Sequence, residues 1–134
     1  MLAARLKKHP QNGQQLFWCH QPGDALLAHL YKCSDVLVAA SIGEGFGLPL
    51  IEAAHHRLPI LARDIPVFRE VAGSYARYFS APEGKALADD IEAWINDWRE
   101  GNAQPSCRLS CNNWADSASQ LQKALFQSIS SLTC

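Results

Sequence analysis

An apolar run at residues 36–40, Val-Leu-Val-Ala-Ala, is followed three residues later by Glu44-Gly-Phe-Gly-Leu-Pro-Leu-Ile-Glu52. A short run without polar alternation suits a parallel strand buried on both faces, and parallel strands require long crossover connections, usually helical. The glycine-bounded turn therefore lies at the carboxyl end of a strand, where ligands collect in open α/β sheets, and Pro49 suits the first turn of the helix that follows. A binding site is expected at this loop.

The 134 residues are 48% hydrophobic, enough apolar material for one domain. A net charge of −1, with both signs interspersed, leaves no basic footprint for nucleic acid and no polybasic patch for an anionic membrane. No apolar run approaches the ~20 residues of a membrane span, and Met-Leu-Ala-Ala-Arg-Leu-Lys-Lys at the start lacks a signal peptide's apolar centre. A cytoplasmic protein is expected. Cys19, Cys33, Cys107, Cys111 and Cys134 are odd in number and lack the spacing of a disulfide framework, so reduced thiols are expected. There is no Cys-x-x-Cys or His-x-x-x-His pair, and no metal site is expected. His55 and His56 are adjacent, point in different directions on a helix and read as surface residues.

Strands and helices alternate along the chain, the pattern of parallel strands joined by crossover helices. Residues 2–9 read as the end of a helix, 16–19 as a strand, and Gly23-Asp24 as the opening of a helix carrying Leu26, Leu27, Leu30 and Tyr31 on one side. A second strand at 36–40 leads to a helix at 49–56, a strand at 59–62, a helix at 66–71 and a short strand at 77–79. Leu87, Ile91, Trp94, Ile95 and Trp98 form an apolar stripe that predicts a helix over 83–99 with a core-facing side. Residues 101–113 read as a loop, and Trp114, Ala118, Leu121, Leu125 and Ile129 outline a final amphipathic helix.

The central segment has a chemistry of its own. Gly45 and Gly47 permit positive φ and close ligand approach, so backbone amides can face bound oxygens. A helix beginning at Pro49 carries partial positive charge at its start, which attracts phosphate. Glu52, placed in that first turn, can accept hydrogen bonds from vicinal hydroxyls such as those of a ribose, and Glu44, at the strand end, from other hydroxyls across the loop. Equally, Glu52 can simply complement the helix dipole while Glu44 is a solvated turn residue. Spacing alone leaves both readings standing.

The stretch Ala40-Ser-Ile-Gly-Glu-Gly-Phe-Gly-Leu-Pro-Leu-Ile-Glu-Ala53 resembles the signature of the retaining GT-B-fold glycosyltransferases, a family that includes bacterial mannosyl- and glucosyltransferases. The register extends to Leu30-Tyr31, to Ser34-Asp-Val-Leu-Val38, to Pro59-Ile-Leu-Ala62, to residues 66–73 and to Trp114, nearly the whole chain. The resemblance implies an α/β fold, a partial Rossmann-like parallel sheet flanked by helices, forming part of the C-terminal half of a GT-B fold. It implies that Glu44 contacts the transferred sugar and is the catalytic residue, that amides of Gly45, Phe46, Gly47 and Leu48 contact sugar and diphosphate, and that Glu52 binds the ribose. The family's donor is a nucleotide-diphosphate sugar used without metal or other cofactor, and the base is expected against the backbone near His20 and Gln21. Asp64-Ile-Pro-Val-Phe-Arg-Glu-Val-Ala-Gly73 is similar to segments of bacterial mannosyltransferases that build surface polysaccharides.

By the same resemblance, residues 1–134 are expected to be a partial nucleotide-sugar-binding domain, with the N-terminal acceptor domain absent. The family's Arg and Lys pair on the leaving diphosphate is expected upstream of residue 1, leaving Arg5, Lys7 and Lys8 as solvated charges. Where the family often has Gly before the strand at residue 59, this chain has Arg57-Leu58, which bears on local loop geometry. The expected function is donor binding within a retaining hexosyltransferase, with a sugar or lipid-linked acceptor, the fragment alone being inactive and the longer protein peripheral at the inner face of the membrane. A sheet order of 3-2-1-4-5-6 would leave exposed strand edges at 16–19 and 36–40 and favour dimerisation through them. Alternatives are a non-catalytic nucleotide-binding module and a flavodoxin-like signalling domain.

Overall fold

The computed structural model describes residues 2–80, 84–102, 106 and 114–130, and of these the side chains of all but 2, 114 and 127–130. The chain divides into two compact units, Met1–Cys33 and Ser34–Cys134.

In the first unit, helix α1 (Leu2–Lys7) runs into a turn, and helix α2 (Asp24–Cys33) closes the unit. Residues 16–19, expected as a strand, are not one. The N–H groups of Gln14, Gln15 and Leu16 all donate to the Gln11 carbonyl, and Gly13 donates to the Leu16 carbonyl at 2.8 Å. These short-range bonds, with a bridge between Asn12 and Leu16, occupy backbone that a ladder would need. Phe17 and Trp18 are exposed. On α2, Leu27 and Tyr31 are half-buried while Leu26 and Leu30 are exposed, so only part of the expected stripe is covered.

The second unit is the α/β sheet. Strands β1 (Leu37–Ala39), β2 (Ile60–Arg63) and β3 (Arg77–Phe79) lie parallel in the order β1-β2-β3, paired Val38 to Leu61 and Ala62 to Tyr78. This is the adjacency expected for the last strands of the 3-2-1-4-5-6 order, and β1 has no second neighbour among the described residues. Helix α3 (Leu48–His55) connects β1 to β2. Helix α4 (Pro66–Ala72) and a single 3₁₀ turn (Gly73–Tyr75) connect β2 to β3. Helix α5 (Gly84–Arg99) and helix α6 (Trp114–Ser130) follow. Residue 83 and most of the loop expected at 101–113, with Cys107, Cys111 and Cys134, lie outside the described residues.

Strand alternation explains the layers. Leu61 of β2 packs with Phe79 of β3 and Trp94 of α5, and Val36, Val38, Leu87, Ile91 and Ile95 close around them. The predicted stripe of α5 is thus core from Leu87 to Ile95, whereas Trp98, stacked on Trp94 at 6.2 Å, is exposed. Ile60 and Ala62 point to the opposite face and are fully buried there. Helix α3, which touches β1 and β2, brings the buried Leu50, Ala53 and Ala54, and α4 adds Phe68 and Ala72. On α6, Leu121, Leu125 and Phe126 are exposed, because periodicity fixes which face is apolar but not what covers it.

The end of α3 shows what Arg57-Leu58 does in place of the family's glycine. Arg57 has φ 58, the left-handed conformation, and its N–H donates to the Ala54 carbonyl at 3.0 Å while that of Leu58 donates to the Ala53 carbonyl at 2.9 Å. This is a Schellman closure, with buried Leu58 as its apolar plug, built on a residue that carries a Cβ. Arg57→Gly removes the steric cost of that conformation but adds freedom to the unfolded chain. A net gain of about 0.5–1 kcal/mol is expected, read as a raised denaturation midpoint with unchanged slope.

Candidate functional site

The loop between β1 and α3 stands at the carboxyl edge of the sheet. Glu44 is exposed and lies five residues beyond Ala39, the last residue of β1, so it belongs to the loop and not to the strand end. Its carboxylate accepts a hydrogen bond from the N–H of Gly45 at 3.2 Å. Phe46 is 66% exposed and Leu48 55%, so the loop is at the surface and not packed into the interior. Gly47 is the one buried residue between Ser41 and the start of α3, and it caps α3 with φ 73 and no side chain to occupy the first-turn amides.

Gly45, expected like Gly47 to use positive φ, does not; the left-handed turn is made at Gly47 only. A β-carbon built on Gly47 would lie 3.2 Å from Cγ2 of Val71, and 3.7 Å from Cδ1 of Phe68, so the loop meets α4 here backbone to side chain. Glu52 is exposed and is the fifth residue of α3, in the second turn and not the first, because the helix starts at Leu48, one residue before Pro49. The carboxylate therefore lies one turn along from the helix start. His20 and Gln21 belong to the first unit, and Gln21 has φ 47.

Behind the loop, Asp64 and Arg69 bracket the start of α4. Arg69 donates from Nε to Asp64 Oδ1 at 2.7 Å and from Nη2 to Oδ2 at 2.8 Å, a bidentate pair, and its guanidinium carbon lies 3.9 Å from the Tyr78 ring centroid. Those hydrogen bonds hold the Asp64 carboxyl below, and the Arg69 guanidinium above, their ordinary values. The Tyr78 hydroxyl shares its one hydrogen between the carbonyls of Phe68 at 3.1 Å and Gly73 at 2.9 Å, tying α4 to β3.

Burial first, and then the negative charge of Asp64, raise the Tyr78 phenol above 10.0 against the opposing influence of Arg69. The fold thus favours the neutral phenol. Its stabilising contribution is complete below the unfolded value and is lost as pH rises through the higher folded one. Denaturation midpoints at about pH 8 and about pH 11 should differ less in Tyr78→Phe than in the parent chain, and an equal difference would contradict the assignment.

Sequence pattern singled out neither this cluster nor Arg63, whose Nε donates to the Ala40 carbonyl at 3.1 Å. The available signal was position: Arg63 is a cation where a buried apolar strand ends, at the edge where ligands bind.

Parallel strands, helical crossovers and a glycine turn at the carboxyl edge define an α/β sheet of Rossmann-like type. Residues 1–108 match the model of the family described as glycosyl transferases group 1, and the chain belongs to that family. It is 46% identical over 125 residues, 92% of its length, to the serotype-specific mannosyltransferase WbdA of Escherichia coli. It is 44% identical over 85 residues, 63% of its length, to the O-antigen chain mannosyltransferase RfbU of Salmonella typhimurium. Over 80 residues, 58% of the chain, it is 35% identical to the phosphatidyl-myo-inositol mannosyltransferase of Mycobacterium leprae. The chain spans 15% of the first of these proteins, 22% of the second and 21% of the third. Neither a flavodoxin-like signalling domain nor a non-catalytic module is favoured by these relatives. Among the described residues, no helix is long and apolar enough to cross a membrane.

Proposed function

We propose that residues 1–134 form the donor-binding part of a retaining hexosyltransferase that takes mannose from a nucleotide-diphosphate sugar for surface polysaccharide synthesis. The observation that carries this reading is the 46% identity to a mannosyltransferase along 92% of the chain. The surface position of the loop at the carboxyl edge of the sheet supports it.

In this reading the amides of Gly45, Phe46, Gly47 and Leu48 receive the diphosphate and sugar. Glu52 accepts from the ribose hydroxyls and Glu44 from the transferred sugar. A carboxylate accepting two hydroxyls makes charge-assisted hydrogen bonds, and fixed amide dipoles stabilise charge developing on the leaving diphosphate without a metal. The Gly45 amide, now engaged by Glu44, is released when the ligand engages it and the carboxylate turns to the sugar. The acceptor, a sugar or lipid-linked glycan, is held by a further domain, and the longer protein works at the cytoplasmic face of the membrane. Exposed strand edges offer a route to dimerisation of this chain.

Isothermal titration of the chain with GDP and UDP, with and without added magnesium, tests the reading. Metal-independent binding of one nucleotide over the other is the expected result, and binding of neither would overturn it.

A further inference from the structure

We infer that Arg63 is a positioning residue that sets the mouth of the Glu44 loop. The β1–β2 ladder ends at the pair Ala39 and Ala62, and the next residue on each strand, Ala40 and Arg63, continues the connection by other means: Arg63 Nε donates to the Ala40 carbonyl at 3.1 Å. On its other side Arg63 pairs in register with Phe79, and its guanidinium carbon lies 5.3 Å from that ring's centroid. One side chain thus spans the carboxyl ends of all three strands, its backbone on β2, its donor on the residue after β1 and its cation over a ring of β3.

The loop depends on its ends. Among the described residues, the backbone between Ala40 and Gly47 makes no hydrogen bond to another backbone group. At the far end Gly47 is buried as the cap of α3, with Val71 and Phe68 standing 3.2 and 3.7 Å from where a β-carbon would lie, and Arg63 fixes the near end. A loop held at two points keeps its amides aimed before a ligand arrives, which reduces the ordering cost of binding. Lysine cannot substitute fully, because it lacks a planar guanidinium that can donate in its own plane while stacking on a ring.

The role in ligand binding rests on the donor-site reading; the role in loop order does not. The test uses the whole 134-residue chain and its Arg63→Met and Arg63→Lys variants. Backbone order parameters at residues 41–46 are expected to fall from about 0.85 to below about 0.6 in Arg63→Met, with Leu61 and Ala62 unchanged. Affinity for the nucleoside diphosphate that the parent chain prefers is expected to fall roughly tenfold, with Arg63→Lys recovering part of it. An unchanged loop in Arg63→Met overturns the inference, as does an equal loosening of loop and strands, which would make Arg63 a packing residue. If Arg63→Met does not fold, the loop of Arg63→Lys decides in the same way. If the parent chain binds no diphosphate, the donor-site reading fails while the order parameters still decide the role of Arg63.

Discussion

Gly47→Val is expected to destabilise the chain by about 3 kcal/mol and to remove nucleotide binding with it. Two costs combine. The left-handed conformation at φ 73 costs an ordinary residue about 1–2 kcal/mol, and a β-branched one is the worst case. The new side chain must also enter space where Cγ2 of Val71 already lies 3.2 Å from the first added carbon, with Phe68 behind it, and such overpacking costs about 1–3 kcal/mol. Relief would require α4 to move away from α3, opening the buried layer that holds Leu50 and Phe68. Thermal denaturation should show a midpoint lower by roughly 10 °C for a chain of this size. Gly45→Ala provides the contrast. Its φ is not positive and nothing lies within 4 Å of the added carbon, so stability should be unchanged. A melting point equally lowered in both variants would show that the cost does not arise from the local geometry of Gly47.

The second large effect separates the two carboxylates. Glu52→Ala is expected to weaken nucleoside diphosphate binding by about 1.5–3 kcal/mol for each hydroxyl hydrogen bond lost, between roughly tenfold and 150-fold. Both side chains are exposed, so neither substitution opens a cavity, and unfolding free energies should stay within about 0.5 kcal/mol of the parent. Glu44→Ala, made in a longer protein that includes the acceptor domain, should reduce turnover more than nucleotide affinity, since the sugar and not the nucleotide is its proposed contact. Equal losses in both quantities would contradict that division of labour.

Much of the sheet is legible in the sequence because its signals are local. The apolar runs at 36–40 and 59–62 read as buried strands; both are strands within a residue at each end, β2 buried from Ile60 to Ala62 and β1 half-buried except at Ala39. Prolines 49 and 66 mark helix starts through the same rule, and the aromatic and aliphatic stripe of α5 needs only periodicity to be assigned to the core. Residues 16–19 have the composition of a strand but no ladder partner among the described residues, and no local rule supplies one. Tertiary contacts are equally hidden. Nothing in the spacing of Arg63 and Ala40, or of Tyr78 and Gly73, announces that they meet. The Arg57 turn lies between these cases. The missing glycine is visible in the sequence, whereas the left-handed arginine that closes the helix in its place is visible only in the backbone.

The site was legible as a segment more than as a geometry. The motif locates Glu44 and Glu52, but a helix that begins one residue early moves Glu52 into the second turn, and a single residue is 100° of rotation about the axis. The exposed Ile42, Phe46 and Leu48 likewise follow from where the loop sits and not from their own character.

The most direct measurement of the central claim, that the turn from Glu44 to Glu52 cradles a nucleoside diphosphate, is a residue-resolved amide map of the chain by NMR during titration with GDP or UDP. Shifts concentrated at Gly45, Phe46, Gly47 and Leu48, with Glu52 following at the same apparent affinity, are the predicted result. Saturable binding whose shifts fall on α5 or α6 and leave the loop unmoved would contradict it.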